Sequence, residues 1–406
     1  MTNVVFVAPL FSPAASQMIE AAVSYPGARV SVVSQQPLDR LPPPLQGRVV
    51  GHWQVGDVTD AAQLETAVGE LAARHGRTDR CFGAYEQLQV PLAVARERLG
   101  IPGLSSASAM NFRDKARMKD RLRVAGVAVA RHKLIATRDD AIAFVGEVGF
   151  PIVVKPPAGA GARDTHRILN VAGLEAALFA FRPNASDPML AEEFLRGTEH
   201  SIETVSLHGE AVWHSVTDYA PNPLHVLENP WMQWCVLLPR EVDDTPYDEI
   251  RVAAARALQA LGMDTGVSHC EWFRRADGSV VISEIGARPP GAQITTMISR
   301  ANDIDFVAAW VRLMIDGTFT PPQRTYAVGT VYLRGQGSGV VRQIEGLDTV
   351  HREFGDLVCD SRLPALGQSP TGSYEGEGFI MVRHAETDVV RRALQRIVSS
   401  VRVRLA

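Results

Sequence analysis

The chain has 406 residues, of which 46% are hydrophobic and 21% charged, so it is long enough for two or three domains with sizeable cores. Its formal net charge of −4 argues against non-specific nucleic-acid binding, which needs a basic face. No apolar run approaches the roughly 18 residues of a membrane helix. The four cysteines lie too far apart for a disulfide framework or zinc ribbon, so reduced thiols in the cytoplasm are expected.

Residues 1–110 alternate short apolar runs with helical patterns. The first run is Val4–Ala8, the last is Cys81–Tyr85, and the helical pattern Ala61–His75 lies between them. This alternation predicts a doubly wound parallel sheet with crossover helices. Glu86 follows the last strand, at the edge where such sheets present ligand-binding groups. We expect Glu86 to bind a substrate amino group; a surface acid at a strand end is the alternative.

The second predicted unit covers residues 111–190 and begins with a helix at Asp114–Ala125. Lys115 and Lys119 are four residues apart and therefore share one face of that helix. Only four of the 41 basic residues are lysines, so each lysine is a candidate for a role that needs a compact point charge. For Lys119 we expect a place on a solvated basic helix face.

A buried strand is predicted at Phe150–Val154, and it leads into Lys155. The loop that follows contains Gly159 and Gly161, whose small size lets backbone N–H groups approach phosphate oxygens. Lys155 would add a positive charge at the strand end. Neither the P-loop pattern nor the dinucleotide-binding glycine fingerprint occurs. A flexible surface turn is the alternative.

The unit predicted at residues 191–325 opens with a strand, a turn and a return strand. Extended backbone around Glu192, Glu193 and Leu195 could hydrogen-bond an adenine edge, and Glu199 could accept ribose hydroxyls. Without further motifs, this segment would be a plain connection between strands.

A β-hairpin with Asp277 and Gly278 as its two turn residues is the strongest local prediction. Counting outward from that turn places Glu271 opposite Glu284. Two facing carboxylates repel each other and destabilise a sheet unless a cation lies between them. Magnesium is bound in this way, through one or two carboxylates and substrate phosphates. A loop with an odd number of residues would break this register.

Side-chain alternation puts His269 on the face of the two glutamates, and Arg288 follows the second strand. Phe273, Val280 and Ile282 share the predicted face. The alternative is a solvent-exposed hairpin with two unremarkable glutamates. From residue 326 to residue 406, glycine-rich strands, an amphipathic helix and a terminal strand predict a small α+β subdomain.

Taken in order, these motifs resemble the ATP-grasp superfamily, and within it the carboxylate–amine ligases such as L-amino acid ligases and carnosine synthase. The resemblance covers nearly the whole chain, and it depends on the order of five motifs, none of which is specific alone. These are Asp114-Lys115 with Lys119, Pro151–Pro156 with its glycine loop, Glu192–Glu199, Glu271, and Glu284–Gly291. It implies an ATP-grasp fold, preceded by the doubly wound domain and followed by the C-terminal subdomain.

The resemblance also implies a role for each matching residue. Lys115, Lys155, Gly159 and Gly161 would bind ATP phosphates; Glu192, Glu193 and Leu195 would face adenine; Glu199 would hold ribose; Glu271 and Glu284 would ligate Mg²⁺, or Mn²⁺ in its place. Arg288 would steady an acyl phosphate, and Gly291 would offer an N–H to a substrate carboxylate. His269 could help deprotonate the amine or contact a carboxylate, and a histidine satisfied within the sheet is the alternative. Many relatives have asparagine where this chain has Gly286, which leaves the number of metal ions open.

The implied reaction joins a small-molecule carboxylate to an amine through an acyl phosphate, with ATP as the source of the phosphoryl group. An ATP-grasp carboxylase or purine-pathway ligase that uses carboxyphosphate, and a non-catalytic ATP-binding regulatory protein, are the alternatives. Neither nucleic acid nor membrane is an expected partner. Similar enzymes are commonly homodimers.

Overall fold

A computed structural model describes residues 1–159 and 164–406. Its first unit is a four-stranded parallel sheet in the order β3-β2-β1-β4, flanked by helices. The elements are β1 (Thr2–Val7), α1 (Pro13–Ser24), β2 (Ala28–Ser34), α2 (Pro43–Gln46), β3 (Gly51–Gln54), α3 (Ala61–His75), β4 (Arg80–Phe82), α4 (Gln89–Leu99) and α5 (Ser106–Arg113). The predicted parallel sheet is confirmed. A short 3-10 turn, Glu86–Leu88, follows β4 and places Glu86 at the carboxyl end of the sheet.

The second unit is an antiparallel four-stranded sheet in the order β5-β8-β6-β7. It contains α6 (Lys115–Val124), β5 (His132–Ile135), α7 (Arg138–Val148), β6 (Ile152–Lys155), β7 (His166–Ile168), α8 (Val171–Phe181) and β8 (Met189–Glu193). Helix α6 begins where predicted because the side chain of Asp114 accepts hydrogen bonds from the N–H groups of Ala116 and Arg117.

The third part is an eight-stranded sheet in the order β13-β12-β9-β10-β11-β14-β18-β17. Its first elements are β9 (Thr198–Leu207), β10 (Glu210–Ala220), α9 (Pro223–Glu228), β11 (Trp234–Leu238), α10 (Asp248–Leu261), β12 (Gly266–Arg274), β13 (Val280–Gly286), α11 (Ile294–Asn302) and α12 (Phe306–Asp316). The elements that follow are β14 (Ala327–Leu333), β15 (Gly335–Gly337), β16 (Val341–Glu345), α13 (Leu347–Phe354), β17 (Val358–Arg362), β18 (Gly378–His384), α14 (Thr387–Ser400) and β19 (Arg402–Leu405). Of these, β15, β16 and β19 form a separate three-stranded sheet in the order β15-β19-β16. Strands β14, β17 and β18 extend the sheet that carries the predicted metal site.

The β12–β13 hairpin reaches the predicted pairing by a different route. The N–H of Arg275 donates to the carbonyl of Ser279, so the loop has three residues rather than two. A β-bulge then adds Ser283 to β13, between the pair Trp272–Ile282 and the pair Glu271–Glu284. The two irregularities cancel, and the predicted pairing of Glu271 with Glu284 is confirmed.

Because of the three-residue loop, part of the predicted assignment of side chains to the two faces of the hairpin is wrong. Val280 and Ile282 were expected on the face of the glutamates, but both are buried in the cluster that contains Trp272. Val281 lies opposite Phe273 and packs with it in a separate small cluster. The reason is that the three-residue loop shifts alternation by one position up to Ser283.

No helix within the two described stretches is long and apolar enough to span a bilayer. All four cysteines are free thiols, and Cys359 is the one that is not fully buried.

Candidate active site

One pocket brings together residues of the second sheet and of the eight-stranded sheet, with Glu86 from the turn after β4. Most of the residues predicted for the site line it: Glu86, Lys115, Lys155, Gly159, Glu192, Glu193, Leu195, Glu199, His269, Glu271, Glu284, Arg288 and Gly291. Gly161 lies outside the described residues. Residues separated by about 200 positions in the chain therefore share one cleft.

A buried carboxylate, Glu192, lies between two buried lysines. Its Oε1 is 2.8 Å from Lys119 Nζ, and its Oε2 is 3.0 Å from Lys155 Nζ. The expectation of a solvated Lys119 is wrong, since its side chain is fully buried. Helix α6 packs against β13 and β5, which turns the face with Lys119 inward.

Charges in this triad depend on one another. Burial alone would raise the pKa of Glu192, but Lys119 and Lys155 lower that pKa to about 2. For Lys119 burial dominates and lowers its pKa, whereas Glu192 and Glu284 overcome burial and raise the pKa of Lys155. Lys155 is thereby held as a cation at the pocket wall.

Lys115 connects the predicted metal site to the glycine loop. Its Nζ is 2.9 Å from Glu284 Oε1 and donates to the carbonyl of Gly159 at 2.8 Å. Arg113 Nη1 donates to the same carbonyl at 2.9 Å. The first part of the loop is thus fastened to α5 and α6 before the chain enters residues 160–163.

Three carboxylates converge beside the hairpin. Glu271 and Glu284 face each other, and Glu199 lies on β9, where it pairs with Phe273 of β12. Burial, followed by the charges of Glu271 and Glu284, raises the pKa of Glu199 well above its usual value. Lys115 and Lys155 outweigh burial and lower the pKa of Glu284. Such a concentration of negative charge favours an additional cation.

This donor set fits magnesium that is shared with a substrate. Within residues 1–159 and 164–406, no three His, Cys, Asp or Glu side chains converge closely enough to hold a metal ion by themselves. Magnesium does not need such a cage, because one or two carboxylates and the phosphates of a nucleotide complete its oxygen shell. The facing pair Glu271–Glu284 supplies two carboxylates of that kind.

His269 is held between two carboxylates. Its Nδ1 lies 2.8 Å from Glu203 Oε1, and its Nε2 lies 3.6 Å from Glu271 Oε1. Burial opposes the imidazolium, but Glu203 and Glu271 raise the pKa of His269 to about 9. Both ring nitrogens thus face protein carboxylates, and the roles of His269 toward an amine or a substrate carboxylate stay predictions.

Glu86 is connected to the site through two arginines, Arg288 and Arg113. Its Oε2 accepts from Arg288 Nε at 3.0 Å, and its Oε1 is 3.5 Å from Arg113 Nη1. Burial opposes the charge of Arg288, but Glu86 raises its pKa overall. A Cβ on Gly286 would lie 3.5 Å from Glu86 Oε2, so a longer side chain there would enter the space of this ion pair.

Several residues in or behind the pocket were not predicted from the sequence. Glu203 is fully buried and also accepts hydrogen bonds from Ser201 and Thr217. Strand β9 contains several other polar residues, so the sequence carried no distinct signal for it. Tyr374 and Glu375 come from the long connection before β18 and belong to no motif, so no sequence signal placed them here. His225, Glu228 and Trp234, from α9 to the start of β11, also line the pocket.

Comparison with known proteins adds a family and a set of relatives. Residues 120–302 match the family model of the ATP-grasp domain. An L-arginine-specific L-amino acid ligase of Bacillus subtilis is 27% identical over 264 residues, which are 62% of this chain and 62% of that protein. D-alanine–D-alanine ligase A of Brucella suis is 27% identical over 256 residues, 60% of this chain and 68% of that protein. The chain thus aligns with less than two thirds of the first relative.

Solved structures resemble the chain over its full length. An L-amino acid ligase from Bacillus licheniformis superposes with a TM-score of 0.78 at 20% identity, covering 100% of this chain and 99% of that one. Phosphoribosylglycinamide synthetase from Anaerococcus prevotii gives a TM-score of 0.71 at 14% identity, with complete coverage of both chains. At these identities the likeness establishes the shared fold.

Proposed function

We propose that this chain, a member of the ATP-grasp superfamily, is an ATP-dependent ligase that joins a carboxylate to an amine through an acyl phosphate. The observation that carries the proposal is the convergence of Lys115, Lys155, Glu271, Glu284 and Arg288 on one pocket. Binding a nucleotide does not by itself require a fixed arginine beside two facing carboxylates. The relatives named above are ligases of amino acids, which supports an amino acid as one substrate.

The nucleotide is assigned to the cleft between the second and third sheets. Lys115 and Lys155 neutralise phosphate oxygens, with Gly159 and the loop after it alongside. The backbone around Glu193 and Leu195 faces adenine, and Glu199 accepts ribose hydroxyls. Glu192, assigned to adenine by resemblance, instead holds Lys155 in place, because both of its oxygens are engaged by lysines.

Mg²⁺ held by Glu271 and Glu284 would neutralise the phosphates of ATP during phosphoryl transfer. The chain's own groups orient the other reactants. Arg288, fixed by Glu86, faces the acyl phosphate and the tetrahedral species that forms when the amine attacks. His269 Nε2 and the N–H of Gly291 are directed toward substrate carboxylate oxygens. Glu86 is proposed to orient Arg288 rather than to bind a substrate amino group, because both of its oxygens face arginines.

Release of phosphate across a matrix of amino-acid pairs tests this function. With Mg²⁺ and ATP, we expect ADP and phosphate to form only when an acceptable carboxylate and amine are both present, with an amide product confirmed by mass spectrometry. ADP formation that depends on bicarbonate would instead indicate the carboxylase. Nucleotide binding with no turnover in any pair would indicate the regulatory protein.

A cytoplasmic location and a homodimer are also proposed. The four free thiols are compatible with a reducing compartment. Light scattering of the purified chain would measure the oligomeric state.

A further inference from the structure

The pocket continues past the metal site to an aromatic wall. Trp234 opens β11, three strands along the sheet from β12, which carries Glu271. The Trp234 ring lies 5.4 Å from the ring of Tyr219 and 4.7 Å from that of Tyr374, measured between centroids. All three aromatic residues line the pocket. Aromatic faces attract cations as well as apolar groups.

Glu375 brings a carboxylate to this wall, and it has no ion-pair partner within the described residues. Five other acidic residues of the pocket are engaged by basic side chains: Glu86, Glu192, Glu193, Glu228 and Glu284 each form an ion pair. Glu271 lies 3.6 Å from His269 Nε2, and Glu199 is the residue proposed to hold ribose. Burial raises the pKa of Glu375, and the nearby Arg362 only partly offsets that effect without forming an ion pair. A carboxylate at a pocket wall that lacks a protein cation is available for a cation on a ligand.

Arg334 holds the two segments that form the wall. Its Nη1 donates to the carbonyls of Val226, Asn229 and Met232 at 2.8, 3.0 and 2.9 Å. Its Nε donates to the carbonyl of Ser373 at 3.2 Å, directly before Tyr374. One buried guanidinium therefore ties the segment that leads into Trp234 to the segment that carries Glu375.

A second buried charge fixes the same connection from the other side. Glu377 accepts from the N–H of Thr371 at 2.9 Å and from the N–H of Gly335 at 2.7 Å. The 371–377 segment is thus held at several points although it is not part of a strand. A wall that is fixed before the ligand arrives loses little conformational entropy on binding.

We propose that Tyr219, Trp234, Tyr374 and Glu375 form a subsite for the cationic side chain of an amino-acid substrate, and that Arg334 is the residue that positions it. This inference rests on the proposed ligase function and specifies its substrate class. A guanidinium or ammonium group would pair with Glu375 while its methylene chain packs on the aromatic rings. An apolar side chain would leave the carboxylate buried and unpaired, and a phosphate would be repelled by it.

Binding measurements without turnover test the subsite. Calorimetry with Mg²⁺ and a non-hydrolysable ATP analogue would compare arginine with citrulline, its neutral isostere, and lysine with norleucine. We expect the wild type to bind at least one cationic member about tenfold or more tightly than its neutral counterpart, the difference typical of a charge-assisted contact. Glu375→Gln should remove that preference, whereas Glu210→Gln, at an exposed position on β10, should keep it.

Equal affinities within both pairs for the wild type, or an unchanged preference in Glu375→Gln, would overturn the subsite. Because no turnover is needed, a binding preference in a chain that makes no amide would refute the ligase function and leave the subsite standing. Amide formation from neutral amino acids, with no preference for cationic ones, would refute the subsite and leave the ligase function standing.

The positioning role of Arg334 has its own readout. Arg334→Met should raise hydrogen exchange in residues 226–233 and 371–377 together and should reduce the cation-to-neutral affinity ratio, with Arg334→Lys intermediate. If Arg334 has only a structural role, its replacement should weaken the binding of the cationic and the neutral ligand equally. An unchanged ratio in Arg334→Met, or in Arg334→Lys if the first variant fails to fold, would exclude the positioning role.

Discussion

Replacing Glu284 by alanine should lower kcat by at least about 10³-fold, because it removes one of the two carboxylates that face each other across the hairpin. Glu284 also forms an ion pair with Lys115, so alanine would change two contacts at once. Glu284→Gln separates them, since it keeps the side-chain length and an oxygen for Lys115 but removes the charge that the metal requires. We expect a comparable loss of kcat in both variants, measured as ADP release under saturating Mg²⁺ and ATP.

Nucleotide affinity provides the control for this result. Lys155 and the backbone proposed to face adenine remain intact in both variants, so we expect ADP to bind within about tenfold of the wild-type affinity, a change of roughly 1.4 kcal/mol or less. Glu210→Gln should behave as the wild type in both assays. Turnover of Glu284→Gln within tenfold of the wild type would remove the metal assignment.

Replacing Glu192 by glutamine should destabilise the folded protein by about 3–5 kcal/mol, the usual cost of breaking a buried ion pair by removal of one partner. The reason is that Lys119 and Lys155 would be left in a buried site without their shared carboxylate. Urea unfolding followed by circular dichroism would measure the change. Lys119→Met in the same background should recover part of the loss, because it removes one of the unpaired charges.

Acidification gives an independent check on the same triad. The pKa of Glu192 is depressed to about 2 from an unfolded value of 4.5, so its stabilising contribution is complete above pH 4.5 and is lost as the pH falls from there toward 2. The wild type should therefore lose more stability over that window than Glu192→Gln does. Identical acid profiles for the two proteins would contradict the buried triad.

The hairpin shows what could be predicted from sequence and why. The pairing of Glu271 with Glu284 followed from a two-residue turn, yet the turn has three residues and a bulge at Ser283 restores the register. Side-chain alternation depends on local backbone geometry, and no residue type in the hairpin predicts the bulge. The pairing was therefore right, while the face predicted for Val280 and Ile282 was wrong.

Long-range packing accounts for most of the remaining difference. Lys119 was placed in solvent because helix periodicity alone does not show which face another element covers. Glu375 and Arg334 lie in connections without a repeating pattern, so their places depend on the folded chain. In contrast, α3 has the bounds predicted for it, Ala61–His75, since a strongly periodic segment depends mainly on its own sequence.

Transfer of an oxygen isotope tests the proposed chemistry most directly. The protein would be incubated with Mg²⁺, ATP, an amine and a carboxylic acid labelled with ¹⁸O in both carboxyl oxygens. If the carboxylate attacks the γ-phosphorus and the amine then displaces phosphate from the acyl carbon, each released phosphate carries one ¹⁸O atom. Unlabelled phosphate, or AMP with pyrophosphate in place of ADP, would contradict activation of the carboxylate in this pocket.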